Sequence, residues 1–146
     1  MKTLILGIGN LLLTDEGIGV HVARALSQET LPPDVTVLEI GTAFLEALPQ
    51  ISVAERIIIV DAMEGDHAPG TVYRVPFDDC LKPKVLASLH GFDLSRVLYM
   101  AGRSNQPEAV VIGVEPESIA WGIEPSVTLQ QAMPTILKAV RAEMCR

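Results

Sequence analysis

Residues 3–19 read TLILGIGNLLLTDEGIG. The run from Thr3 to Gly9 is short, apolar and closed by glycines, the pattern of a central parallel strand buried on both faces. A glycine-rich turn after such a strand usually greets a phosphate with backbone N–H groups. This one delivers two carboxylates, Asp15 and Glu16. Thr14 is placed to cap a helix from about Asp15 to Ser27, with Ile18, Val22, Ala25 and Leu26 on its inner face.

The same alternation continues along the chain. VTVLEI at 35–40, RIIIVDA at 56–62 and AVVIGV at 109–114 read as further strands, and TVYRV at 71–75 alternates like an edge strand. AFLEALP offers a short helix, and residues 93–101 and 127–143 read as longer ones. Residues 76–91, with Pro76 and Pro83, fit no single element. Strands alternating with helices predict a single α/β domain over residues 1–146, a twisted and mostly parallel sheet with helices on both faces. In such folds ligands gather at the carboxyl edge of the strands, near the point where strand order reverses. Asp61 ends the third strand, and Asp15 and Glu16 follow the first, so all three belong to that edge.

Composition removes several function classes. The 146 residues are 49% apolar and only 4% aromatic, so the core is built mainly from Leu, Ile, Val and Ala. A net charge of −7 lacks the basic footprint that nucleic acid requires, and gives no attraction to anionic membranes. No apolar run approaches the roughly 18 residues of a membrane span. The opening apolar stretch is interrupted by Gly7, Gly9 and Asn10, so it reads as a buried strand of a cytoplasmic protein rather than a signal peptide. Cys80 and Cys145 form no CxxC pair and read as free thiols, too few for a structural zinc site.

The glycine loop fits no nucleotide motif well. A dinucleotide fingerprint needs a third glycine where Leu12 stands, and no G-K-[ST] ending is present. Glu39, at the end of the second strand, imitates a ribose-binding acid and keeps a nucleotide reading open. Two anions at a helix start would repel a phosphate, although one or both could simply face the positive end of the helix dipole. Asp61 could likewise bond its own following loop. The alternative is that Glu16 and Asp61 converge on a cation, for which a third donor is needed. Of the three histidines, His21 lies within the first helix and reads as surface or satisfied. His67 lies in a polar loop, and His90, just before the helix at 93–101, can project to the same edge.

These segments resemble a known family. GIGNLLLTDEGIGVHVARAL, IIIVDAMEGDHAPGTVYR, SLHGFDLSRVL and VIGVEPESIAWGIEPSV together are similar to the nickel–iron hydrogenase maturation endopeptidases, in order and over nearly the whole chain. The resemblance implies a single peptidase domain that cuts a short C-terminal extension from the hydrogenase large-subunit precursor after nickel insertion. It implies Glu16, Asp61 and His90 as the residues that contact the metal. Nickel would arrive with the substrate precursor, and no tightly held cofactor of the protein's own is expected. One departure stands out: the family often has Asp-Gly-Gly-Thr where this chain has Glu39-Ile40-Gly41-Thr42. Glutamate preserves the acid, while Ile40 replaces a residue that tolerates positive φ.

Two carboxylates and an imidazole form a hard-to-borderline ligand set with open positions. Such a set suits inspection of a metal already held by the substrate, fixing the nearby extension in register for hydrolysis. Either a metal-activated water or a carboxylate general base, Asp61 or Glu39, would lead the attack. No G-x-S-x-G or H-E-x-x-H motif is present. A non-proteolytic, nickel-dependent binding partner or chaperone of the large subunit is the competing expectation, and Ile40 is the feature in its favour.

Overall fold

Arg56–Ala62 forms β3, and every residue of it is buried. A run of β-branched side chains with no polar face suits only a strand covered from both sides. In the computed structural model, which describes residues 1–41, 43–76 and 107–146, that strand lies at the centre of a five-stranded sheet. β1 (Thr3–Ile8) is equally buried, whereas β2 (Val35–Gly41) and β4 (Val72–Pro76) are only half covered. β5 (Glu108–Val114) completes the sheet in the order β2-β1-β3-β5-β4. β2, β1, β3 and β5 run parallel, and β4 returns antiparallel along the outer side of β5. The chain leaves β1 to β2 on one side and comes back to β3 on the other. Strand order therefore reverses between β1 and β3.

The pleat separates two cores. Leu4, Leu6 and Ile8 of β1 and Ile57 and Ile59 of β3 pack on one face with Ala47, Ile51 and Met63. Ile5, Ile58, Val60, Val110 and Ile112 face the other way, against Ile18, Val22, Leu26, Leu129, Ile136 and Val140. Helix α2 (Leu48–Val53) covers the first face, led by a short 3-10 turn at Phe44–Ala47. Helices α1 (Ile18–Ser27) and α3 (Val127–Met144) cover the second. Burying each of these Leu, Ile and Val side chains contributes roughly 1.5–3 kcal/mol. No helix among the described residues is long and apolar enough to cross a membrane.

The expected elements appear with small shifts, and one boundary is corrected. The helix expected from Asp15 begins instead at Ile18, after a 3-10 turn at Thr14–Gly17. Thr14 does not cap it, because its φ is +48° and its hydroxyl donates to the carbonyl of Ser118 at 2.6 Å. Ala23, rather than Ala25, joins the buried face of α1. The helix expected at 93–101, the region 77–91 and Cys80 lie outside the described residues; Cys145 is an exposed free thiol.

At the amino edge, Arg56 is buried against the end of α3. Its Nη2 lies 2.6 Å from Oε2 of Glu143, whose other oxygen takes the guanidinium of Arg74. Arg56 also donates to the backbone carbonyl of Glu143. Both Arg56 and Glu143 are at most 2% exposed, so the charge pair sits inside the fold.

Candidate functional site at the carboxyl edge

The glycines of the opening stretch serve backbone packing. A Cβ on Gly19 would lie 2.1 Å from the carbonyl oxygen of Val60 and 2.3 Å from that of Ile8, so α1 begins pressed directly on β1 and β3. Gly9 has a φ of +126°, and a Cβ there would fall 1.9 Å from the carbonyl oxygen of Glu16. The same point lies 3.4 Å from Oδ1 of Asp61. Gly9 thus lies between the 3-10 turn carrying Glu16 and the carboxylate ending β3, at the carboxyl edge where strand order reverses. The space that a phosphate-binding turn leaves open is filled here by the chain's own Glu16 carbonyl.

Asp61 is fully buried, and Glu16 is 8% exposed. Asp61 Oδ1 accepts from the N–H of Ala62 at 2.8 Å. His90, the third residue expected at this edge, lies outside the described residues. Among the described residues, no three His, Cys, Asp or Glu side chains are arranged to hold a metal ion.

Asp15, adjacent in sequence to Glu16, has a structural task. Its Oδ2 accepts from the N–H groups of Glu117 and Ser118 at 2.8 and 2.9 Å and from the hydroxyl of Ser126 at 2.8 Å. Oδ1 accepts from the N–H of Ser126 at 2.7 Å. Thr14 adds a second tie, its hydroxyl accepting from the N–H of Ala120 at 3.1 Å. Together they strap the loop at 115–126 onto the turn carrying Glu16. Ser126 also caps α3, its hydroxyl accepting from the N–H of Leu129.

Glu115 performs the same service for the loop after β3. Its Oε1 accepts from the N–H groups of Gly65 and His67 at 2.8 and 3.1 Å and from the hydroxyl of Tyr73 at 2.6 Å. Burial alone would raise the pKa of Glu115, but the hydrogen bonds from Tyr73 and the two amides outweigh it and hold the carboxyl below its ordinary range. Tyr73 is pushed up to about 12, by burial first and then by its bond to Glu115. His67 is exposed, yet its Nδ1 lies 2.7 Å from the carbonyl of Gly65 and 3.1 Å from the hydroxyl of Tyr73. These two clamps were missed in the sequence; their only trace is acids clustered around Pro116 and Pro125.

Glu39 points to the α1 side of β2, since Leu38 and Ile40 pack on the α2 side. Its carboxylate is gripped by Arg24, with Nε 2.8 Å and Nη2 3.3 Å from its two oxygens. The pair lines a cleft of about 330 Å³ together with Gly9, Asn10, Leu11 and Gly41. Glu39 therefore borders the Gly9 loop from the β2 side. A larger cleft of about 420 Å³, lined by Leu4, Pro33 and Val53 among others, lies at the opposite, amino edge and contains none of these residues. Ile40 carries no backbone strain: the positive φ falls on Gly41, at +56°, and Ile40 packs on the core. His21, expected to be surface or satisfied, is half-buried; a hydrogen bond joins it to the backbone of Ile123, while its Nε2 has no hydrogen-bond partner among the described residues. Burial first, and then the nearby Arg24 charge, lower its pKa from the ordinary histidine value.

A buried strand-end aspartate beside an acidic turn, packed across a glycine where strand order reverses, defines the class of α/β scaffold to which the chain belongs. Residues 20–143 match the family model described as hydrogenase maturation protease, and the chain belongs to that family. The Hydrogenase 2 maturation protease of Escherichia coli K12 is 46% identical over 74 residues, covering 49% of this chain and 45% of that protein. The hydrogenase expression/formation protein HupD of Thiocapsa roseopersicina is 34% identical over 122 residues, 79% of this chain and 54% of the relative. The chain thus spans about half the length of the curated relatives it matches. The solved structure of the hydrogenase maturating endopeptidase HybD from Escherichia coli superposes with a TM-score of 0.81 at 33% identity, covering 99% of this chain and 92% of that one.

Proposed function

We propose that this chain is a cytoplasmic endopeptidase that removes the C-terminal extension of a [NiFe] hydrogenase large-subunit precursor once nickel has been inserted. The observation that carries this reading is the meeting of the Glu16 turn and the buried Asp61 carboxylate at Gly9, in a member of this family. Oxygen donors at that edge suit contact with a metal the precursor already holds by its own ligands. Glu16 and Asp61, with His90 as third member, dock the nickel and align the adjacent peptide. Asp61 is the preferred general base for the attacking water. Glu39, tied to Arg24 in the neighbouring cleft, is cast as a substrate-contacting group. Ile40 has no positive φ, yet it lines the cleft beside Glu39, so a non-cutting, nickel-dependent partner is the alternative reading that the test below must exclude.

The test is mass spectrometry of a large-subunit precursor incubated with the protein, with and without nickel. Loss of a short C-terminal peptide from the loaded form alone, abolished by Asp61→Asn or His90→Ala, is expected. A loaded precursor that binds and keeps its mass would show a recognition partner instead of a protease.

A further inference from the structure

Next to the Asp15 clamp, the surface is apolar and acidic. Trp121, the chain's only tryptophan, is 83% exposed, which leaves on the order of 200 Å² of indole in water. Ile119, Ile123 and Leu12 are exposed beside it. They belong to one surface, because the N–H of Gly122 donates to the carbonyl of Leu12 at 2.9 Å and the N–H of Thr14 to that of Gly122 at 2.8 Å. A patch of this kind on a folded chain marks an interaction site. The backbone beneath it is fixed by the Asp15 and Thr14 bonds, so it is presented pre-ordered and docking costs little entropy.

Among the described residues, the charge around the patch selects the occupant. Glu117 and Glu124 flank Trp121 and are exposed, and neither segment 3–23 nor segment 107–137 contains a Lys or Arg. An acidic rim repels nucleic acid and anionic membrane alike. It complements a protein surface that offers an apolar pocket ringed by Lys or Arg. We infer that the Leu12–Trp121 patch is the docking surface for such a basic-rimmed apolar pocket on the large-subunit precursor. This rests on the proposed function, and it adds where the substrate is gripped. The same strap joins the patch to the turn carrying Glu16, so a partner seated on Trp121 lies beside that turn.

The single tryptophan makes the test direct. Protein labelled with fluorotryptophan carries one fluorine resonance, while the precursor's own tryptophans are silent. Adding precursor is expected to shift or broaden that resonance. Trp121→Ala is expected to raise KM for precursor cleavage by about tenfold or more with kcat kept, as for an aromatic anchor. Glu117→Lys combined with Glu124→Lys leaves the apolar surface intact and is expected to raise KM in the same direction. A resonance that stays put at precursor concentrations that support cleavage would overturn the assignment. So would a resonance that moves with the protein's own concentration before precursor is added, since the patch would then join two copies of this chain. A resonance that moves with precursor while no peptide is released supports the docking surface and removes the endopeptidase reading.

Discussion

Arg56 and Glu143 at the amino edge are as deeply buried as Asp15 and Glu115 at the carboxyl edge, yet the two ends neutralise their charge differently. At the amino edge, acid meets base: Glu143 is bonded by the guanidinium groups of Arg56 and Arg74, with Arg146 Nε 3.1 Å away. At the carboxyl edge, Asp15 and Glu115 are bonded by backbone amides and hydroxyls. Among the described residues Arg56 is the one buried base, whereas Asp15, Glu16, Asp61 and Glu115 gather at the opposite end. The amino edge is closed electrostatically. Among the described residues, the carboxyl edge instead has its loops fixed by buried acids that take neutral donors, and the proposed metal contact would fall among them.

The sharpest way to break this contrast is to neutralise one acid at the carboxyl edge. Asp61→Asn should lower precursor cleavage by about 10²–10⁴-fold, the range for loss of a general base. Thermal unfolding should register far less change; a collapse of stability in parallel with activity would make Asp61 a structural residue. At the closed edge the expectation is reversed. Glu143→Leu strands the buried Arg56 and should cost about 3–5 kcal/mol in urea unfolding, while the double change with Arg56→Met should recover most or all of it. Unimpaired stability in the single variant would mean that water or another acid replaces the pair.

Asp15→Asn comes next. It keeps the shape but removes the charge that four donors share, and should cost about 2–3 kcal/mol. Faster amide exchange at Glu117, Ser118 and Ser126 would locate the loss; uniform exchange elsewhere with these three unmoved would refute the clamp. The smallest effect is pH-driven. Glu115 has its folded pKa depressed, so its contribution is present above the unfolded value of about 4.3 and is lost as pH falls through the lower folded value. The loop amides of Gly65 and His67 should therefore open to exchange in acid ahead of the sheet. With Tyr73 pushed up to about 12, the same bonds should survive well into the alkaline range.

What sequence could and could not reveal follows the range of the interactions. β3 and Asp61 were legible because seven consecutive residues settle the matter locally: a buried run, then one acid at the end. β1, β5 and α3 were legible for the same reason. Thr14 and Asp15 misled because they have the chemistry of a helix cap, while their partners lie about a hundred residues further on. Arg56 looks like a solvent-facing strand start until Glu143, 87 residues later, is seen to meet it. Glu39 was legible as an acid at the right edge, but its hold on Arg24 depends on the facing of β2 against α1.

The Asp15 strap also orders events in time. Its carboxylate waits for donors 102 to 111 residues further along the chain. At synthesis rates of 5–20 residues per second, those donors are made roughly 5–20 s after Asp15 itself. β1 and β2 can pair early, but the turn bearing Glu16 gains its final fastening only when the chain through Ser126 has emerged. A nascent chain of this protein therefore carries its acids before the donors that fasten them have been made, and this fastening is a contact of long sequence separation.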